Sequence, residues 1–147
     1  MEKTLYEPNR GHRKDVMSIN SREKGKKGEL EISHILQEYG YETRRNQQFN
    51  GANGDADVVG LPGIHLEIKR VERLNIDKAL EQSIRDTYAD EIRQGTDLIP
   101  VVMHRSNSDR KKDSTKGTWK VTLRLDDFMK LYQAWDVYTL PFSDKED

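Results

Sequence analysis

Four residues of this chain have the types and spacing to do chemistry together: Glu29, Asp57, Glu67 and Lys69. Side chains on a strand alternate between faces, so if Ile64 to Val71 is a strand, Glu67 and Lys69 share one face and Leu66 and Ile68 the other. Leu61-Pro62-Gly63 has the composition of a tight reversal after a second strand, Asp55 to Gly60. A turn centred there pairs residues whose numbers sum to 124, which sets Asp57 directly opposite Glu67. Opposed Cβ atoms are roughly 5 Å apart, and two like charges at that distance repel by about 3 kcal/mol at an effective dielectric near 20. The opposition persists if one carboxyl keeps its proton, if Lys69 partly neutralises the pair, or if a divalent cation lies between the oxygens. The cation is the most economical account, because two carboxylates with water and phosphate completing the shell are what Mg²⁺ uses on phosphorylated substrates.

Glu29 joins this set by a separate route. It stands three residues before Ile32 and seven before Leu36, on the apolar stripe of a helix, whereas Glu31 and Glu38 fall on the polar side. A carboxylate on a core-facing stripe needs a partner. That partner is a basic residue, Lys69 or Arg44, or the acidic site itself. An acidic-x-basic triplet such as Glu67-Ile-Lys69 is common on solvent-facing strands; its weight comes from Asp57 across the turn and from Glu29.

The elements that must position these residues are legible in outline. Asn20 and Glu23 have the form of a capping box, and Ile32, Ile35, Leu36 and Tyr39 form a helical stripe that Gly40 ends. Tyr41 to Phe49 reads as a strand, followed by the loop Asn50-Gly-Ala-Asn-Gly and then the hairpin. Asn75 caps a helix from Ile76 to Gln94, with Ile76, Leu80, Ile84, Tyr88 and Ile92 along one face and Gly95 at its end. Leu98 to Met103 fits a buried strand. In Thr118 to Arg124, Trp119, Val121 and Leu123 alternate with polar residues, and Asp127 to Asp136 places Phe128, Leu131, Tyr132 and Trp135 at core spacing. Helix, three strands, helix, strand, strand, helix predicts an α/β domain around one mixed sheet flanked by helices. Its expected limits are residues 20 to 140, preceded by a flexible basic arm (1 to 19) and followed by an acidic tail (141 to 147).

Composition bounds the function. The 147 residues are 35% charged and 33% hydrophobic and contain no cysteine, which excludes a disulfide scaffold, a thiolate zinc site and a cysteine nucleophile. With no bilayer-length apolar run and no apolar leader at Met1 to Pro8, a cytoplasmic location is expected. The net charge of −1 argues against a nucleic-acid partner until it is resolved by position. Asn9 to Lys27 carries seven basic residues against Asp15 and Glu23, and His104 to Lys120 carries six against Asp109 and Asp113. Basic segments suited to phosphate are thus masked by acidic residues elsewhere.

At the same residues the sequence resembles the PD-(D/E)xK nuclease superfamily, and within it the Holliday junction resolvase-like enzymes of archaea and phages. The likeness is carried by Lys24-Gly25-Lys-Lys-Gly-Glu29, by Gly54-Asp55-Ala-Asp57-Val-Val-Gly60 and by His65-Leu-Glu67-Ile-Lys69. Ala79-Leu-Glu-Gln82 and Thr122-Leu-Arg-Leu-Asp-Asp-Phe128 resemble the phage group in particular. Ala56 stands where the superfamily has proline. The resemblance implies a restriction-endonuclease-like αβββαβ core and a metal-dependent DNA endonuclease cutting branched DNA as a homodimer. Asp57 and Glu67 would hold Mg²⁺ or Mn²⁺, with the backbone carbonyl of Ile68 as a further ligand and Glu29 acting on a second metal or its water. Lys69 would orient the attacking water, and Lys24, Lys26, Lys27, Arg44, Arg45 and Gln82 would contact DNA. The alternatives are a nuclease of flap, nicking or restriction-like specificity and a non-catalytic DNA-binding module.

Overall fold

The structure, a computed structural model, describes residues 10–46, 55–106 and 118–139, with side chains from Arg22 onward. The expected loop Asn50 to Gly54, most of the basic segment 104 to 117 and the acidic tail lie outside the described residues, as do residues 1 to 9 of the expected arm. The element order is α1 (Arg10–Glu38), β1 (Arg44–Arg45), β2 (Val58–Val59), β3 (Ile64–Arg70), α2 (Ile76–Gln94), β4 (Ile99–Arg105), β5 (Lys120–Thr122) and α3 (Leu125–Thr139). This is the predicted succession, and the chain is an α/β fold.

The five strands form one sheet in sequential order, β1-β2-β3-β4-β5. β3 and β4 run parallel, with Leu66 beside Val101 and Ile68 beside Met103, and every other pair is antiparallel. Parallel neighbours need a crossover, and α2 supplies it. The hairpin register is the predicted one: Val58 pairs with Leu66, and the Asp57 N–H donates to the Leu66 carbonyl at 2.9 Å. The reversal needs its glycines. Gly60 has φ +106°, and a Cβ there would fall 2.1 Å from the Glu42 carbonyl oxygen. Only glycine can fill that position without moving β1.

Alternation divides β3 as expected. Leu66 and Ile68 face α1, where they join Ile32, Val58 and Val101 in the buried core, with Ile35, Leu36 and Met103 packed around them. α1 comes unusually close to β3 at Gly28, where a Cβ would lie 3.0 Å from the Arg70 Cβ and 3.6 Å from the Ile68 Cγ2. That approach carries the next residue, Glu29, to the sheet.

Four expectations are corrected. α1 starts at Arg10, so Asn20 and Glu23 lie inside the helix and do not cap it. Glu31 is not on a solvated side: it receives the Trp119 Nε1–H at 3.0 Å and ion-pairs with Arg70 at 3.3 Å and Arg105 at 3.4 Å. α2 has the predicted ends, with the Asn75 side chain accepting from the Lys78 N–H and Gly95 at φ +68°, but it turns a different face inward. Its buried residues are Ala79, Ser83, Thr87 and Asp90, and Tyr88 and Ile92 are exposed. α3 likewise buries only Asp127, while Phe128, Leu131, Tyr132 and Trp135 stay about half open and Val121 on β5 is exposed. On α2 small and hydrogen-bonding side chains allow close approach to the sheet and Tyr88 and Ile92 project away from it, whereas on α3 Asp127 is buried with Arg124 and Lys130 nearby.

Candidate active site

The odd-numbered face of β3 presents His65, Glu67 and Lys69 toward α2, and the hairpin register brings Asp57 across from Glu67. Glu67 is 3% exposed and His65 fully buried, on a face where a strand of this length would ordinarily carry apolar side chains. Asp57 is held by the backbone: its Oδ2 accepts the Ile68 N–H at 2.9 Å. This bond fixes Asp57 against the backbone of the E-x-K strand.

The electrostatics of the pair follow from burial. Desolvation pushes Glu67 up to about 7, reinforced by the charges of Asp57 and Asp86 and opposed by its hydrogen bond to His65. Asp57 is also raised, again mainly by desolvation, although the Ile68 N–H, a hydrogen bond from Glu67 and the nearby Lys69 pull the other way. A proton taken up by the pair relieves the repulsion between the two carboxyls, and the charge of Lys69 acts on Asp57 in the opposite direction to burial.

Glu29 reaches the same place from α1. Its Oε2 accepts from the Arg45 Nε at 2.6 Å, so its basic partner is the residue after Arg44, on β1. Burial raises its pKa against the pull of Arg45, and the charges of Asp57 and Lys69 both act on it. Asp57 is accordingly within electrostatic range of each of the other three residues singled out in the sequence, which come from α1 and β3.

Sequence reasoning missed the residues behind Glu67. His65 Nε2 lies 3.3 Å from Glu67 Oε1, and His65 Nδ1 lies 2.9 Å from Asp90 Oδ2 on α2. Burial alone would depress the imidazole pKa, but its bonds to Glu67 and Asp90 outweigh that and raise it. Asp90 Oδ1 is in turn held by the Gln94 amide at 2.7 Å and by Arg93 at 3.3 Å, and Arg93 also ion-pairs with Asp55. Asp86, whose charge reaches Glu67, was missed as well. The signal for His65 was present in the alternation, since 65, 67 and 69 share a face.

Of the expected DNA contacts, Lys24, Lys26 and Lys27 are exposed on α1 in the turn leading to Glu29, and Arg44 and Gln82 are exposed. Gln82 shares a face of α2 with Asp86, one turn away. Arg45 is engaged with Glu29.

Among the described residues no three His, Asp or Glu side chains converge as a ready-made metal cage. Asp57 and Glu67 offer a two-carboxylate oxygen donor set, the kind that hard divalent cations use when water and phosphate complete the shell. The donor chemistry fits Mg²⁺ or Mn²⁺. No described helix is long and apolar enough to cross a membrane. No protein-family model matches the chain, and no curated protein matches it.

Proposed function

We propose that this protein is a metal-dependent DNA endonuclease of the PD-(D/E)xK type, a Holliday junction resolvase that acts on four-way junctions as a homodimer. The observation that carries this reading is the carboxyl pair formed by buried Glu67 on the E-x-K strand and half-buried Asp57 across the hairpin from it, with Lys69 on the same strand and Glu29 brought in from α1. A carboxyl pair withdrawn from water in this way costs stability and calls for a compensating role.

Asp57 and Glu67 would hold Mg²⁺ or Mn²⁺. Such an ion lowers the pKa of a bound water and neutralises charge on the phosphate under attack. Glu67 must lose its proton before it can bind, and because it titrates near neutrality it does so at little cost. Lys69, two residues after Glu67 on the same strand, would orient the attacking water and offset phosphate charge. Glu29, kept in place by Arg45 and within electrostatic range of Asp57, would act on a second metal or its water. Lys24, Lys26 and Lys27, one turn before Glu29, would lie along the DNA backbone.

Two symmetric cuts in a junction need two copies of the site. The face of α3 supports a second copy. Phe128, Leu131, Tyr132 and Trp135 each leave about half of the side chain open, and Val121 and Leu125 extend the surface. At about 100 Å² for each half-open side chain, the six together supply about 600 Å², most but not all of the roughly 800 Å² per partner of a stable interface.

The test is cleavage of a labelled four-way junction in Mg²⁺, beside flap, nicked and plain duplex DNA. Wild type should cut the junction most readily, and Asp57→Ala and Lys69→Ala should not cut it. Cleavage no greater than in those variants on every substrate would overturn the enzyme reading, and preference for another substrate would redirect its specificity.

A further inference from the structure

We infer that His65 and Asp90 are positioning residues that lock Glu67 opposite Asp57 through α2, so that the geometry of the carboxyl pair is set from behind by the crossover helix. The inference rests on the nuclease reading for its consequence and on the hydrogen-bond network for its existence.

A fully buried imidazole is costly unless both ring nitrogens are satisfied. Here both are, by carboxyl oxygens from two different elements, at 2.9 Å to Asp90 and 3.3 Å to Glu67. An apolar side chain would serve packing alone at position 65, so the ring's value lies in what it connects. Nδ1 thus faces Asp90 and Nε2 faces Glu67, so the ring bridges α2 to the carboxyl pair.

The network does not end at Asp90. Gln94 and Arg93 hold its other oxygen, which keeps it from swinging away from the imidazole. The same Arg93 grips Asp55, two residues before Asp57. Both arms of the hairpin are therefore tied to one helix: the β3 arm through Glu67, His65 and Asp90, the β2 arm through Asp55 and Arg93. A glutamate facing another carboxyl would otherwise rotate away, because its side chain has several rotamers and the repulsion favours separation. Groups behind a metal-binding side chain that fix its orientation commonly change metal affinity or activity by about 10–100-fold when removed.

The two conservative replacements separate positioning from bulk. Gln places its terminal amide near the Nε2 position, toward Glu67, and Asn places its amide near Nδ1, toward Asp90. Mn²⁺ binding measured by calorimetry on the full chain should weaken about 10–100-fold in His65→Asn, which loses the tie to Glu67, and by a smaller factor in His65→Gln, which keeps that tie and loses the one to Asp90. Junction cleavage should show the same order, with kcat reduced and KM for DNA unchanged. A double-mutant cycle of His65→Asn with Glu67→Gln, read by thermal unfolding in EDTA, should show non-additive shifts in melting temperature. Unchanged Mn²⁺ affinity in a His65→Asn protein whose wild type binds and cleaves would overturn the positioning role alone, as would strict additivity in EDTA. A wild type that neither binds Mn²⁺ nor cleaves would overturn the nuclease reading and, with it, the metal-directed consequence, while the cycle in EDTA would still decide whether the lock exists.

Discussion

α2 and α3 both invert the usual sorting of side chains, and the difference between them is instructive. α2 turns Ser83, Thr87 and Asp90 inward and leaves Tyr88 and Ile92 outside, and α3 buries Asp127 while its aromatic residues stay half open. The buried carboxylate of α2 is wired to the site through His65. Among the described residues Asp127 is wired to its own helix neighbourhood, through Arg124 at 2.8 Å and Lys130 at 3.5 Å, each three residues away. Buried polarity thus has two uses in one molecule: on α2 it couples a helix to distant side chains, and on α3 it satisfies the helix locally and leaves an apolar face uncommitted. Changes on the inner face of α2 should therefore disturb fold and site together, and changes on the open face of α3 should disturb neither.

The largest effect expected from this contrast is at Asp90. Asp90→Ala leaves His65 and Arg93 without their shared partner, and breaking a buried pair in this way costs about 3–5 kcal/mol. Denaturant unfolding should register that loss, and cleavage should fall with it. A loss below about 1 kcal/mol would place Asp90 with ordinary surface carboxylates and erase the distinction from Asp127.

Next comes the pH dependence of stability in EDTA. Folding raises the pKa of Glu67 from 4.5 to about 7, so the folded state binds that proton more tightly. The resulting stabilisation is complete below the unfolded value and is lost as pH rises through about 7, a change on the order of 3 kcal/mol. Asp57, Glu29 and His65 are shifted upward too, and all act in the same direction. Wild type should therefore melt at a lower temperature at pH 8 than at pH 5. Glu67→Gln should flatten the profile and be at least as stable as wild type at pH 8, and a steeper decline in the variant would mean that the opposed pair does not control it.

On α3 the expected change in stability is small. Trp135→Ser and Tyr132→Ser should each move unfolding by less than about 1 kcal/mol, yet shift the sedimentation coefficient from dimer toward monomer. A large loss of stability would show that this face packs within the chain. The mildest change is on α1, where neutralising Lys26 and Lys27 should weaken DNA binding alike for all sequences and reduce its salt dependence, with unfolding unaffected.

How much of this was legible in the sequence depends on what kind of signal each feature left. The ends of α2 were, because a capping asparagine and a terminal glycine act through local backbone chemistry. The hairpin register was, because Pro62 and Gly63 fix the turn and the turn fixes Asp57 opposite Glu67. The inward faces of α2 and α3 were not. Apolar periodicity favoured Tyr88, Ile92 and Trp135, whereas close packing against the sheet selected Ala79, Ser83 and Thr87, whose small size and local hydrogen bonds leave no hydrophobic trace. Glu31 was misplaced for a related reason: Arg70, Arg105 and Trp119, its partners, come from three separate stretches of chain. The Arg45 partner of Glu29 was missed by one residue, since a two-residue strand gives too little alternation to tell Arg44 from Arg45.

The parallel pairing of β3 with β4 has a consequence for how the protein acquires its site. Because α2 is the crossover between those strands, Glu67, His65, Asp90 and Arg93 all belong to one contiguous β-α-β stretch, and no long loop must close before they meet. The most polar part of the interior thus lies within a single stretch of chain, and α1, bringing Glu29 past Gly28, completes the site from outside it.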